Sequence, residues 1–266
     1  IYPLHLVMLF AVAGMQAALS FGLGQEPFVY KHNTPYNFGL NILLLNGSGL
    51  QNGFSFNAPS WSISTEFLVN LAFLAMIVAP RRVAAGAMAV AGSLAAAAMV
   101  SRGLINATPA FGWIDNDLVR TAAGFFVGVA AHGIYRRVPP PPSILADLAS
   151  IAIAAASFVY LAGYVGWSNA GDVLACLVGF PTLIISVVHS RLVRSALSAR
   201  SIVYLGTISY SIYLVHFPVQ LAVHILDVSG TYTPNYSSRW FFLGFIIAVV
   251  LTASATYRLI ELPGKA

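Results

Sequence analysis

Eight almost wholly apolar stretches, at residues 3–23, 61–79, 83–100, 118–135, 146–164, 172–189, 203–226 and 240–259, dominate this chain. Each is long enough to cross the hydrocarbon core of a bilayer, which takes about 20 residues of α-helix. Only 8% of the 266 residues are charged, where an ordinary soluble domain carries about 25%. With 58% hydrophobic residues and a mean hydropathy of +0.80, the chain has too little polar surface to face water on all sides. Backbone amides in hydrocarbon must be satisfied within their own segment, so the expected fold class is all-α, a polytopic transmembrane helical bundle of eight spans. The run from Leu40 to Leu45 is apolar but too short to span. Inside the polar segment 24–60 it reads as a re-entrant or interfacial piece.

The net charge of +5 comes from 13 basic residues against 8 acidic ones. The basic residues are scattered singly or in pairs between apolar runs, with no stripe that would follow nucleic-acid phosphates. Their distribution instead sets an orientation. Loops carrying Arg81-Arg82, then Arg136-Arg137, then Arg191, Arg194 and Arg200, then Arg258 and Lys265 alternate with segments carrying only Lys31, Arg102, Arg120 and Arg239. The positive-inside rule places the richer set, and with it both ends of the chain, in the cytoplasm. Pro139 to Pro142 are expected to form a stiff polyproline spacer on that side. Asn-x-Ser/Thr sequons begin at Asn46, Asn106 and Asn235, on the opposite side. The single cysteine, Cys176, lies inside an apolar run and reads as a packing residue. The chain opens on Ile1-Tyr2-Pro3 at the edge of an apolar run, with no basic leader, and is expected to lack an N-terminal part.

A charge at the centre of a span costs about 2.5–3.5 kcal/mol to insert, so polar residues within the spans single out candidate sites. The first group lies in Asn57-Ala-Pro-Ser-Trp-Ser-Ile-Ser-Thr-Glu66. Pro59 suits a first helical turn, and Ser60 or Ser62 offers a cap. Ser62, Glu66 and Asn70 then recur at intervals of four on one helix face. Position 63 is Ile, so no capping box explains Glu66, which is expected to be a buried carboxylate with either a functional or a structural partner. The second group is a stripe of Ser209, Tyr213, His216, Gln220 and His224, extended by Asp227, on an otherwise apolar helix. Such a face must look into protein or a wet cavity. Pro218 frees the carbonyl of Leu214 and predicts a kink beside His216. The third is Arg120, just after Asp115 and Asp117, either a snorkelling interfacial arginine or a site residue. His5, His32, His132 and His189 sit near predicted helix ends or in loops and are not selected. No phosphate-binding glycine loop, Cys-x-x-Cys or His-Glu-x-x-His pattern occurs, so nucleotide-driven pumping and zinc hydrolysis have no support, and no metal is expected.

Four stretches in these regions resemble, in order, the membrane acyltransferase-3 family, the multispanning O-acyltransferases of surface polysaccharides, lipid-linked sugars and other exported molecules. Ile1-Tyr-Pro-Leu-His-Leu is similar to the start of that family's third span. Pro59-Ser-Trp-Ser-Ile-Ser-Thr-Glu66 resembles its Trp-Ser-x-x-x-Glu signature. Gly206-Thr-Ile-Ser-Tyr-Ser-Ile-Tyr-Leu-Val-His216-Phe-Pro218 resembles its late Ser-Tyr-x-x-Tyr-Leu-x-His signature, and Tyr257-Arg-Leu-Ile-Glu261-Leu-Pro263 its closing Glu-x-Pro. The resemblance implies a ten-span protein, of which residues 1–266 are a single membrane-embedded acyltransferase domain without the first two spans. Those spans carry the family's basic residue and, eleven positions on, its catalytic His, so the piece alone is expected to be inactive.

The implied reaction moves an acyl group, most simply acetyl, from acyl-CoA as co-substrate to a hydroxyl of a carbohydrate or lipid-linked acceptor. No bound cofactor is expected. Glu66 and His216 are the candidate catalytic residues, and Trp61, Ser62, Asn70, Arg120, Ser209 and Tyr213 the candidate substrate-binding residues. The implied location is the bacterial inner membrane, with the lipid bilayer as partner. The alternative reading is a multispanning transporter or channel that uses the same polar stripes for permeation, although no internal repeat supports it.

Overall fold

The computed structural model describes residues 2–103, 110–137, 143–163, 166 and 168–265. The expected proline spacer at Pro139–Pro142 and the sequon at Asn106 lie outside these residues. Among the described residues there is no strand, only an isolated bridge between Phe111 and Ile114. Among the described residues, eight helices are long and apolar enough to cross a membrane, at Tyr2–Gly22, Ala58–Ile77, Arg81–Arg102, Asn116–Arg137, Ile144–Leu161, Asn169–His189, Ser209–Val228 and Arg239–Glu261.

The Cα packing divides the chain into two compact units, residues 1–64 with 203–266 and residues 65–202. The first is built on α1 (Tyr2–Ala17), α11 (Ser209–Val228) and α12 (Arg239–Thr256), with the short α2 (Pro35–Ile42) beside them. Leu4 and Met8 of α1 meet Leu214 and Val215 of α11 and Val249 and Ala253 of α12 in one buried cluster. Leu9, Val12 and Leu19 meet Phe217 and Leu221 in a second, with Phe56. In hydrocarbon, apolar burial drives little association, so these clusters act by close packing and leave specificity to the polar ties described below.

Segment 24–60 is ordered by side-chain bonds to backbone. Thr34 caps α2 by accepting from the Asn37 amide at 3.2 Å, and Pro35 follows at the first helical position. The Gln16 side chain brackets Phe28, donating to its carbonyl at 3.0 Å and accepting from its amide at 2.9 Å. Val29, Leu44 and Phe56 all have positive φ, a conformation that costs a branched or bulky residue free energy and must be held by its surroundings. For Phe56 the holder is Asn33, which accepts its amide proton at 2.6 Å. At the exposed tip of the segment, the hydrogen bond and charge of Lys31 hold the Glu26 carboxyl below its usual range. The expected re-entrant piece is thus a short helix that leads into a folded strap. Asn46, the first sequon, is buried within it and donates to Ser60 Oγ at 2.9 Å, so it offers no acceptor to glycosylation.

The second unit contains most of α3 (Trp61–Ile77), then α4 (Arg81–Arg102), α5 (Asn116–Arg137), α6 (Ile144–Leu161), α7 (Asn169–Leu174), α8 (Phe180–His189) and α9 (Leu192–Leu197). α4 packs on α5 through Ala95, Ala98 and Met99 against Val119 and Ala123. Gly92 is required there, since a Cβ would stand 2.8 Å from that of Phe126. Between α7 and α8 a wide π turn at Ala175–Gly179 precedes Pro181, which has no amide to return to the Leu177 carbonyl.

Candidate functional site

One sequence expectation is corrected at the start of the polar stripe. The span read as 203–226 is broken: α10 (Arg200–Thr207) ends before Ile208, and α11 begins at Ser209. Ser209 is exposed and donates to the Gly206 carbonyl at 2.8 Å, so its hydroxyl is occupied by the break itself. Two residues on, the fully buried Ser211 donates to Glu261 Oε2 at 2.8 Å. That bond ties the start of α11 to the π turn Tyr257–Glu261 at the end of α12. A buried carboxylate without such donors is costly, so this bond gives Glu261 a reason to be there.

Pro218 leaves the Leu214 carbonyl without its helical partner, as the sequence implies. Asn57 replaces it. This residue is fully buried, and its Nδ2 donates to Leu214 O at 3.0 Å. At the preceding residue, the Tyr213 hydroxyl donates to the Pro59 carbonyl and accepts from Ser62 Oγ at 2.9 Å. The 3₁₀ turn Ala58–Ser60 is therefore clamped to α11 at both Leu214 and Tyr213. Ser62 does not cap its own helix, because its hydroxyl is turned to Tyr213.

His216 lies three residues beyond the clamped Tyr213. Its Nδ1 lies 2.6 Å from the Tyr213 carbonyl. A carbonyl only accepts, so Nδ1 carries the proton and Nε2 of the neutral ring has a free lone pair. His216 lines a cavity of about 500 Å³ together with Gln220, His224, Asp227 and Tyr236. Phe28 and Phe241 form apolar walls, and Phe28 stacks on the His224 ring at 4.3 Å between centroids. The Tyr236 hydroxyl donates to Asp227 Oδ2 at 2.9 Å. The cavity is thus mainly apolar with a few polar groups, the usual make-up of a small-molecule site.

The other predicted residues fall elsewhere. Glu66 is exposed, and Asn70 Nδ2 donates to its backbone carbonyl at 2.8 Å, so the expected buried, bonded carboxylate is not found. Helical spacing correctly put Ser62, Glu66 and Asn70 on one face but said nothing of what that face meets. Trp61 is half-buried at the head of α3. Arg120, in the second unit, pairs with Asp117 at 2.9 Å. Thr121, beside it, donates to Thr65 Oγ1 at 2.9 Å and so ties α5 to α3.

Sequence reasoning missed a buried polar network in the first unit. His5 is fully buried, and its Nε2 donates to the Asn41 carbonyl at 2.9 Å. Asn41 donates to the Asn37 carbonyl at 2.8 Å and to Ser55 Oγ at 3.2 Å, and Ser64 donates to the Leu44 carbonyl at 2.6 Å. The density of Asn and Ser between residues 33 and 64 was the available signal.

Apolar helices of spanning length, with a largely apolar cavity carrying a few polar groups along one of them, define a multispanning integral membrane protein. The family model described as an acyltransferase domain matches residues 3–258, through both units, and the chain belongs to the acyltransferase-3 family. No curated protein and no solved structure was found to match.

Proposed function

We propose that the protein is a membrane O-acyltransferase that moves an acyl group, most simply acetyl, from acyl-CoA to a hydroxyl of a carbohydrate or lipid-linked acceptor. The observation that carries this reading to particular residues is the free Nε2 of His216 at the wall of the cavity. The acceptor hydroxyl sits against His216. In this reading His216 is a second imidazole beside the catalytic His that the family resemblance implies: Nε2 takes the proton while the oxygen attacks the thioester carbonyl, and the C–S bond breaks as the ester forms. The imidazolium returns its proton to the departing thiolate, giving CoA-SH. Gln220, Asp227 and Tyr236 bond other acceptor hydroxyls, and the phenylalanine walls take the apolar faces of a sugar ring. Tyr213 and Ser62 are positioning residues, because their hydroxyls hold the Pro59 turn and thereby aim His216. Glu66, exposed and with no side-chain partner among the described residues, is the second acid–base candidate. Its proposed role is to orient the catalytic His that the family resemblance implies.

In the positive-inside orientation the cavity lies in the outer half of α11, which suits an exported acceptor in a bacterial inner membrane. The test uses the complete protein in membrane vesicles with acyl-labelled acetyl-CoA. The expected result is base-labile label on a hydroxylated acceptor. Movement of an unmodified solute with no ester formed would overturn the proposal in favour of transport.

A further inference from the structure

We propose a lipid site in the second unit, far along the chain from His216: a groove that takes one acyl chain of an anionic glycerophospholipid and sets its phosphate at Arg136 and Arg137. The groove runs between α5 and α8 and encloses about 440 Å³, a volume typical of ligand pockets, which span about 300–1,000 Å³. Its lining is largely apolar, with Gly128, Cys176, Phe180 and Ile184 along it and His132 and Tyr135 at one end. Its origin is local. On α5, Gly124 and Gly128 present no side chain, and a Cβ at either position would meet nothing within 4 Å. Opposite them, α8 carries Phe180 and Ile184 directly after the π turn at Ala175–Gly179.

Charge complementarity selects the occupant. Gly124, Gly128, His132 and Arg136 recur at intervals of four, so the groove floor leads along one helix face to a cation. Arg136 and Arg137 end α5, are exposed, and are held by no carboxylate among the described residues. Their positive charge also complements the negative C-terminal end of the helix dipole, directly after Tyr135, the last groove-lining residue of α5. Basic pockets between spanning helices on the cytoplasmic side are suited to anionic head groups. A second copy packing through Gly124 and Gly128 is the competing occupant, since such a pair favours close helix crossing. It would have to bring its backbone past Phe180 and Ile184, which wall the groove.

The test is native mass spectrometry of the complete protein, delipidated and then offered phosphatidylglycerol or phosphatidylcholine of the same chain length. The expected result is one phosphatidylglycerol retained at least tenfold better than phosphatidylcholine. That preference should vanish in the Arg136→Gln/Arg137→Gln double variant, and retention of either lipid should fall in Gly128→Leu, which fills the groove. Ala131→Leu, at the same wall, serves if Gly128→Leu folds poorly. Equal retention of both lipids, retention unchanged by Gly128→Leu and Ala131→Leu, or a dimer that dissociates in Gly128→Leu would each overturn the site.

Discussion

Asn57 and Glu66 sit nine residues apart and show what a single side chain does in each unit. The Asn57 amide, itself fully buried, stands in for a helical bond that Pro218 cannot make. Asn57→Leu keeps the volume roughly but strands the Leu214 carbonyl, and should lower stability by about 1–3 kcal/mol. Thermal unfolding in a fixed detergent measures it, and a midpoint equal to wild type would show that the carbonyl finds another donor. Glu66 makes the opposite case, an exposed carboxylate that contributes no side-chain bond to the fold. Glu66→Gln should therefore leave yield unchanged. If Glu66 works in acid–base chemistry, acyl transfer should fall by roughly a hundredfold or more. A well-produced Glu66→Gln protein with normal transfer would end its catalytic assignment.

At the scale of elements, the apolar runs located seven of the spanning helices to within a few residues, because twenty apolar residues in a row have one stable fate in a bilayer. The eighth was placed too early, since composition does not register the break at Ile208. The strap 24–60 was harder to read. Its order depends on bonds such as Gln16 to Phe28 and Asn33 to Phe56, which join residues far apart and carry no period. For the site, the stripe through Tyr213 and His216 was visible as polar residues at helical spacing, whereas the clamp by Ser62 and Pro59 was not, because partner identity is a tertiary fact. Orientation gives a test at this scale. In a Cys176→Ser background, a membrane-impermeant maleimide added to intact cells should label Ser237→Cys and leave Ser198→Cys unlabelled. The reverse pattern would invert the topology.

Taken as a whole molecule, the chain combines membership in the acyltransferase-3 family, eight helices among the described residues long and apolar enough to span a membrane, and a cavity where His216 presents an Nε2 with no hydrogen-bond partner among the described residues. The most direct measurement is the rate of acyl transfer from labelled acetyl-CoA to acceptor hydroxyl in vesicles containing the complete protein, wild type against His216→Gln. Gln keeps hydrogen-bonding capacity beside Tyr213 but cannot take a proton. The account predicts normal protein yield with transfer reduced by about 10²–10⁴-fold, the usual contribution of a general base. Wild-type transfer by a well-folded His216→Gln protein would contradict it.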